Sequence, residues 1–412
     1  MLMQTLRRTK IKGWLEYTRE LCPICHKSGG CMIHENGNVV VCIRTESDKP
    51  FSVEFPSWIH YLKEKRKLEK REFIEGNIKA GSGQLNHVYR CLLNHLSLEE
   101  HHLNHLLSVQ RKMTVNEIKV RDYKSLPDNT FTIVKRMGDL IAPEYLKGVP
   151  GFFEAKYGWG VSGKNGIMIP YRDEENQIIG FQVRVDNPPN EVVIDKGSFK
   201  NLKAFVVEQP NLVRIQDGEE FIKEIQLEVG ESHSIYHGSN YGFIRMKKGQ
   251  RYFWLSSANK VNGTGAGDPL PIHVAVPTSR LERWETGEAL KTNAVWITEG
   301  GLKADITANH LPKVYNEEEI EVLGDTVLGI PGINTWKYIL PVLEKMEVKH
   351  VNLAIDMDLM TNPDVAFHTR NFILELKNRN LTVNMVLWNE EDGKGIDDLF
   401  LNGKYPRLEK IF

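Results

Sequence analysis

Two sets of side chains in this chain have the types and spacing to do chemistry. The first is acidic: Glu299 in AVWITEGGLKAD (294–305), Asp356 and Asp358 in HVNLAIDMDLM (350–360), and Asp397 and Asp398 in GKGIDDLF (393–400). Carboxylates gathered in one place repel one another, and each has its pKa raised unless a cation sits among them. Oxygen-only ligands suit Mg²⁺ or Mn²⁺, which commonly bind substrate phosphates beside one or two carboxylates. That is the equipment of phosphodiester chemistry, in which metals clamp the attacking and leaving oxygens. The second set is thiol: Cys22, Cys25, Cys31 and Cys42 in CPICHKSGGCMIHENGNVVVC (22–42). Cys22-Pro-Ile-Cys25 presents two thiolates to one ion, and Cys31 and Cys42 complete a tetrahedral Zn²⁺ site. His34 competes for the place of Cys31 through the spacing Cys31-x-x-His34, and His26 is a lesser candidate. No βαβ pattern surrounds Cys22 and Cys25, which argues against a redox dithiol. A module this small buries too little core to fold without its ion.

The elements that must position the acids are legible in the same stretch. Val295-Trp296-Ile297 and Val351 to Ile355 are continuous apolar runs, the mark of strands buried on both faces of a parallel sheet. Helix-like segments at 301–309, 334–346 and 363–379 separate the strands, the last opening on Asn362 as N-cap with Pro363 at the first helical position. A further strand spans 382–388. Right-handed βαβ crossovers put every carboxyl end on one edge, so the three acidic clusters are expected to meet there.

Glu299-Gly300, then Asp356-x-Asp358, then Asp397-Asp398 resemble the Toprim domain of DnaG-type bacterial primases, topoisomerases and some nucleases. Lys303 stands where primases usually carry an acid. The pattern Glu-Gly-x-x-Lys-Ala-Asp looks more like Toprim proteins of phages and mobile elements, and Asp305 is given no metal role. Upstream, Ile169-Pro170-Tyr171-Arg172-Asp173, Gly180-Phe181-Gln182-Val183-Arg184 and Arg251-Tyr252-Phe253-Trp254-Leu255-Ser256 resemble, in order, the segments forming one wall of the primase nucleic-acid groove. Arg172 and Arg184 have the geometry for bidentate phosphate contacts, and aromatic rings can stack on bases. The Cys cluster ahead of Toprim repeats the primase order, although primases usually pair Cys-x-x-His with a later Cys-x-x-Cys.

The resemblance implies a multidomain α/β protein: a zinc ribbon over 1–50, a charged linker over 51–85, a helical segment over 86–150, a primase-like α/β subdomain over 151–290 with a β insertion at about 189–250, and a Toprim domain over 291–412. Its function would be a DNA primase-like nucleotidyltransferase making primers on single-stranded DNA from nucleoside triphosphates. Glu299, Asp356, Asp358 and Asp397 would hold Mg²⁺ or Mn²⁺. Arg172, Arg184, Arg251, Tyr252, Lys303 and Lys394 would meet nucleic acid or nucleotide phosphates. The alternatives are a Toprim nuclease and a non-catalytic zinc-containing replication accessory.

The 412 residues, 41% hydrophobic and 26% charged, carry a net charge of −1, so any nucleic-acid contact must be local rather than global. No apolar run reaches spanning length and MLMQTLRRTK lacks a secretory core, so a cytoplasmic location is expected and no membrane. Lys63, Lys65, Arg66, Lys67, Lys70 and Arg71 form a basic run that reads equally as phosphate contact or solvated helix face. His87, His95, His101, His102 and His105 lie on a helical segment without a carboxylate or cysteine at ligand spacing, and so read as helix surface. Cys91 is a core thiol. GTGAGDP (263–269) lacks the Lys-Ser/Thr of a P-loop. The primase helical subdomain and helicase-binding region have no counterpart here, so no helicase or polymerase contact is inferred.

Overall fold

The structure is a computed structural model that describes all residues except 1–5, 10, 12, 19, 53, 54, 63–77, 157, 261, 268 and 358–361. Asp358 and the basic run 63–71 therefore lie outside the described residues.

The N-terminal module is a six-stranded antiparallel sheet in the order Leu6–Arg8, Trp14–Tyr17, Met32–His34, Val39–Cys42, Ser57–Tyr61, Pro50–Ser52. Its small core of Leu15, Tyr17, Ile33 and Val40 is completed by Cys22, Cys31 and Cys42. Cys42 pairs with Trp58 across the sheet, so the strands Pro50–Ser52 and Ser57–Tyr61, which run into the linker expected over 51–85, continue the sheet of the N-terminal module. The β-branched and aromatic content of Phe51, Val39–Val41, Trp58 and Ile59 favours that pairing.

Helices follow at Ser82–Asn94, Glu100–Leu107, Val115–Arg121 and Phe131–Met137. The first buries Leu85, Val88, Tyr89, Leu92 and Leu93 at helical spacing. Thr114 and Glu117 form a reciprocal cap at the start of the third. This segment also supplies a strand, Lys124–Leu126, which the helical reading missed. It edges a four-stranded antiparallel sheet in the order Tyr252–Trp254, Ile178–Arg184, Gly166–Arg172, Lys124–Leu126. The two central strands join through a turn in which Asn176 adopts a φ of 56°. Residues 191–247 form two three-stranded sheets that share one core built on Leu202, Val213, Ile215, Ile235, Ile244 and Met246.

The C-terminal sheet runs His273–Ala275, Thr326–Ile330, Ala294–Glu299, His350–Leu353, Thr382–Leu387, Arg407–Lys410. Its four central strands are parallel and its two edges antiparallel. One face is covered by a core containing Ile333, Trp336, Leu343, Phe372 and Leu376, the other by Ala304, Ala308, Leu311, Ile396 and Phe400. Burial on both faces accounts for the unbroken apolar runs seen in the sequence. From Ala294–Glu299 the chain first moves to one side of the sheet, to Thr326–Ile330, and then crosses to His350–Leu353 on the other. The direction reverses between Ala294–Glu299 and His350–Leu353, and the crevice beyond their carboxyl ends is where such sheets bind ligands.

Candidate functional site

Glu299 ends its strand at that crevice. Gly300 follows with φ 90° and starts the helix Gly301–Val314, a turn that an L side chain would strain. Two backbone contacts fix it: Gly300 N–H donates to Ile330 O at 2.7 Å, and Gly301 N–H to the Tyr171 hydroxyl at 2.9 Å. The second bond ties the middle sheet to the start of this helix. Glu299 Oε1 accepts the Ile333 N–H at 2.8 Å.

Asp356 lies just past the strand His350–Leu353 and is only 5% exposed. Both its oxygens sit 2.6 Å from Nζ of Lys303, on the first turn of the helix Gly301–Val314. Burial alone would push the Lys303 ammonium toward neutrality, but Asp356 above all, with Asp397 and Glu299, holds its pKa above the ordinary lysine value. Lys303 is thus the focus of the acidic edge. The sequence assigns this lysine to phosphate; in the fold its ammonium pairs with the buried Asp356 carboxylate.

Asp397 is fully buried. Its Oδ2 accepts from Arg111 Nη1 at 3.3 Å, and its Oδ1 has no hydrogen-bond partner. Burial pushes its pKa up to about 6; Asp398 and Asp356 add to the rise, and Lys303 and Arg111 oppose it. Gly395 shows how tightly these groups converge. A Cβ there would stand 2.6 Å from Asp397 Oδ1, 3.0 Å from Lys303 Nζ and 3.3 Å from Asp356 Oδ1. A glycine keeps the cradle open. The donor set therefore fits a hard divalent cation: two buried carboxylates face one small space, one oxygen is unpartnered, and an ammonium already supplies positive charge there. Among the described residues, Glu299, Asp356 and Asp397 do not gather into one ligand shell within 4.8 Å. Gly395 is the N-cap of the helix Ile396–Leu401, and Asp397 and Asp398 both sit in its first turn. Lys394 is exposed at the rim.

A cationic patch adjoins the acids. Arg184 ends the strand Ile178–Arg184, Tyr252 pairs with it across the sheet, and Arg251 is exposed beside them. Burial, together with Arg111 and Arg251, depresses the Arg184 pKa. Burial, Arg184 and Arg111 push His105 down to about 4. Such mutual depression means like charges share one patch, and the Nε atoms of Arg111 and Arg184 are buried without a partner. Sequence reasoning missed Arg111. It lies after the helix Glu100–Leu107 in no recognisable motif, and only folding brings it to Asp397, 286 positions away.

Arg172 does not join this patch. It is 5% exposed, and its guanidinium donates to Asn176 Oδ1 at 3.0 Å and to Arg121 O at 3.4 Å. It braces the turn between two buried strands rather than meeting a surface phosphate. Burial brings its pKa down to about 10. Asp305 likewise belongs to a separate interior network with Arg121, the Tyr123 hydroxyl and His273 Nε2. Burial would raise its pKa, but Arg121 and His273 hold it at about 2.

In the N-terminal module all four thiols Cys22, Cys25, Cys31 and Cys42 lie within 4.8 Å of one another. Cys25 and Cys31 Sγ are 3.6 Å apart, and Cys31 and Cys42 Sγ 3.8 Å. Cys31 hydrogen-bonded to Cys22 lowers the Cys22 pKa to about 5, while burial raises that of Cys42. Arg44 donates its backbone N–H to Cys42 Sγ at 3.4 Å and Nη1 to Cys31 Sγ at 3.5 Å, as donors around thiolates do. His34 stays outside the cluster: its Nδ1 accepts the Asn36 N–H at 3.2 Å, and its ring packs on Trp14. These four cysteines can hold a zinc ion. A cleft of about 2670 Å³ runs between the module and the C-terminal domain, lined by Trp14, His34, Trp58, Lys337 and Glu299 among others.

Among the described residues, no helix is long and apolar enough to cross a membrane. No family model matches the chain, and no curated protein does. Among solved structures the chain is similar to a DnaG primase catalytic domain bound to single-stranded DNA, at 12% identity and a TM-score of 0.42, covering 77% of this chain and 74% of that one. It is similar to the Escherichia coli primase catalytic core at 12% identity and a TM-score of 0.41, with the same coverage of 77% and 74%. A third similar structure, the zinc-binding and RNA polymerase domains of the Aquifex aeolicus primase, shows 11% identity and a TM-score of 0.42 over 97% of this chain and 77% of that one.

Proposed function

We propose that this chain is a primase-like nucleotidyltransferase whose reaction occurs at a Toprim-type acidic edge. The observation that carries the reading is the convergence of Asp356 and Asp397 on the space at Gly395, with Asp397 Oδ1 unpartnered, beside the cationic patch of Arg111, Arg184 and Arg251. Carboxylates next to several guanidinium groups suit a ligand that is itself a complex of cation and polyphosphate.

Glu299, Asp356 and Asp397, with Asp358 of the same motif, would hold Mg²⁺ or Mn²⁺. When bound, the ions lower the pKa of an attacking 3′-hydroxyl and neutralise charge on the departing pyrophosphate. Arg251 and Arg111 orient phosphates by charge-assisted hydrogen bonds, and Arg184, only 6% exposed, adds its positive charge behind them. Tyr252 offers a face on which a base can stack. Lys303 keeps the buried acids neutralised between turnovers and has the stem length to swing toward phosphate. Lys394 extends the positive rim. The zinc module, with Cys22, Cys25, Cys31 and Cys42 holding Zn²⁺, grips single-stranded template across the cleft. The motif Glu-Gly-x-x-Lys-Ala-Asp favours a role in replication of a phage or mobile element.

The test is primer synthesis from nucleoside triphosphates on single-stranded DNA with Mg²⁺ or Mn²⁺. Product from the wild type and none from Asp356→Asn supports the reading; an inert wild type that binds DNA normally refutes it. A second reading, a non-catalytic DNA-binding accessory, draws on the ion pair between Lys303 and Asp356, which already satisfies the acid. It requires that calorimetric titration of Mn²⁺ give equal, negligible heats for wild type and Asp356→Ala.

A further inference from the structure

The histidines His101 and His102 of the helix Glu100–Leu107 follow Glu99 and Glu100 in the sequence and meet a further carboxylate, Asp186, in the fold. Asp186, two residues past the strand Ile178–Arg184, presents one oxygen, Oδ2, to two imidazoles: His102 Nε2 at 2.9 Å and His101 Nε2 at 3.1 Å. His101 Nδ1 faces Glu99 Oε2 at 3.5 Å, and His102 Nδ1 meets Ser125 Oγ at 2.6 Å. Glu99, His101 and His102 each place a ligand atom within 4.8 Å of the others.

The geometry suits a metal ion at the two Nε2 atoms beside Asp186 Oδ2. With the Nε2 lone pair of His101 given to the ion, its Nδ1–H faces Glu99. The same assignment gives His102 Nδ1–H to Ser125. Each imidazole then has the outer partner that metal-ligating histidines almost always have. The second oxygen of Asp186, Oδ1, lies 3.7 Å from Arg184 Nη1, an outer contact for a ligating carboxylate.

We propose that His101, His102 and Asp186, backed by Glu99 and Ser125, form a second metal site for a first-row transition ion, with Zn²⁺ as the natural probe. Two imidazoles and a carboxylate without thiolate suit such ions and discriminate against Mg²⁺. The ion clamps the helix Glu100–Leu107 to the strand that carries Arg184, and so fixes that arginine beside the acidic edge.

The experiment loads the full chain with Zn²⁺ under a large excess of Mg²⁺, which fills the acidic edge, removes unbound zinc, and counts bound zinc before and after a mercurial that displaces metal from thiols. The wild type is expected to hold two ions, one surviving the mercurial. His101→Ala, at an exposed side chain, and Asp186→Asn should each hold one, released entirely by the mercurial. Glu99→Gln should weaken the thiol-independent site by about 10- to 100-fold, as loss of an outer partner does. A wild type with no mercurial-resistant zinc overturns the proposal, as does mercurial-resistant zinc that persists in both the His101 and Asp186 variants. Circular dichroism of the metal-free variants separates loss of the site from loss of the fold.

Discussion

Replacing Lys303 by methionine keeps the length of the side chain and removes its charge. In the present arrangement its Nζ stands 2.6 Å from Asp356 Oδ2. At an effective dielectric of about 20, that contact is worth about 6 kcal/mol before desolvation is charged against it. Removing one partner of a buried pair usually costs about 3–5 kcal/mol, and because the lysine side chain is 26% exposed, a loss nearer 2–3 kcal/mol is expected. The metal-free Lys303→Met protein should therefore unfold at lower urea. The same substitution removes the cation that competes with a divalent ion, so Mn²⁺ should bind roughly 30- to 150-fold tighter, the equivalent of about 2–3 kcal/mol, and saturating Mn²⁺ should restore the lost stability. Urea titrations with and without Mn²⁺, with calorimetry for affinity, read both effects. Unchanged Mn²⁺ affinity alongside lost stability would show that the lysine neutralises Asp356 but that the space is no cation site, and the reasoning would fail.

The remaining expectations concern the supports of that site. Cys31→Ser, or a zinc chelator, should unfold the N-terminal module while the rest of the chain stays folded, because cysteines make up much of its core; limited proteolysis reads out the region cut. Two buried aspartates should give pH dependences of opposite sign in the metal-free protein. Asp305, held at about 2 in the fold against an unfolded value of 3.8, contributes stability that is present above pH 4 and lost as pH falls toward 2. Asp305→Asn should remove that acid limb and cost about 3–5 kcal/mol at neutral pH by stranding Arg121. Asp397, raised to about 6 from 3.8, contributes stability that is fully present below pH 4 and lost as pH rises through 6. Asp397→Asn should flatten that limb in urea titrations between pH 4 and 8, and a steeper limb would refute the assignment. Arg111→Ala should weaken single-stranded DNA binding at all sequences alike and reduce the salt slope by about one, measured by fluorescence anisotropy across a salt series.

What could be read from the sequence, and what could not, follows from how far each signal reaches along the chain. The parallel strands Ala294–Glu299 and His350–Leu353 announce themselves because both faces are covered, so Trp296 and Leu353 stand in unbroken apolar runs. The four cysteines were legible because a knuckle and a hairpin are local. Arg111 and Asp186 were not, since each acquires its role by meeting a residue far away: Asp397 for one, His101 and His102 for the other. Arg172 misled for the converse reason. Its motif is that of an exposed wall, but every residue of the strand Gly166–Arg172 is buried, and Asn176 takes its guanidinium. The strands Pro50–Ser52 and Ser57–Tyr61 are too short to show alternation, and only their pairing onto Val39–Cys42 makes them part of the module. The pairing of Lys303 with Asp356 is likewise illegible in the sequence, because the depth of Asp356 is a tertiary fact that no local pattern carries.

The cation cradle is tested most directly by anomalous diffraction from crystals grown in Mn²⁺. The account predicts a manganese peak bonded to carboxylate oxygens of Asp356 and Asp397 near Gly395, with the Lys303 ammonium displaced from Asp356. A saturating Mn²⁺ soak that leaves Lys303 on Asp356 and yields no peak between those two side chains would contradict it.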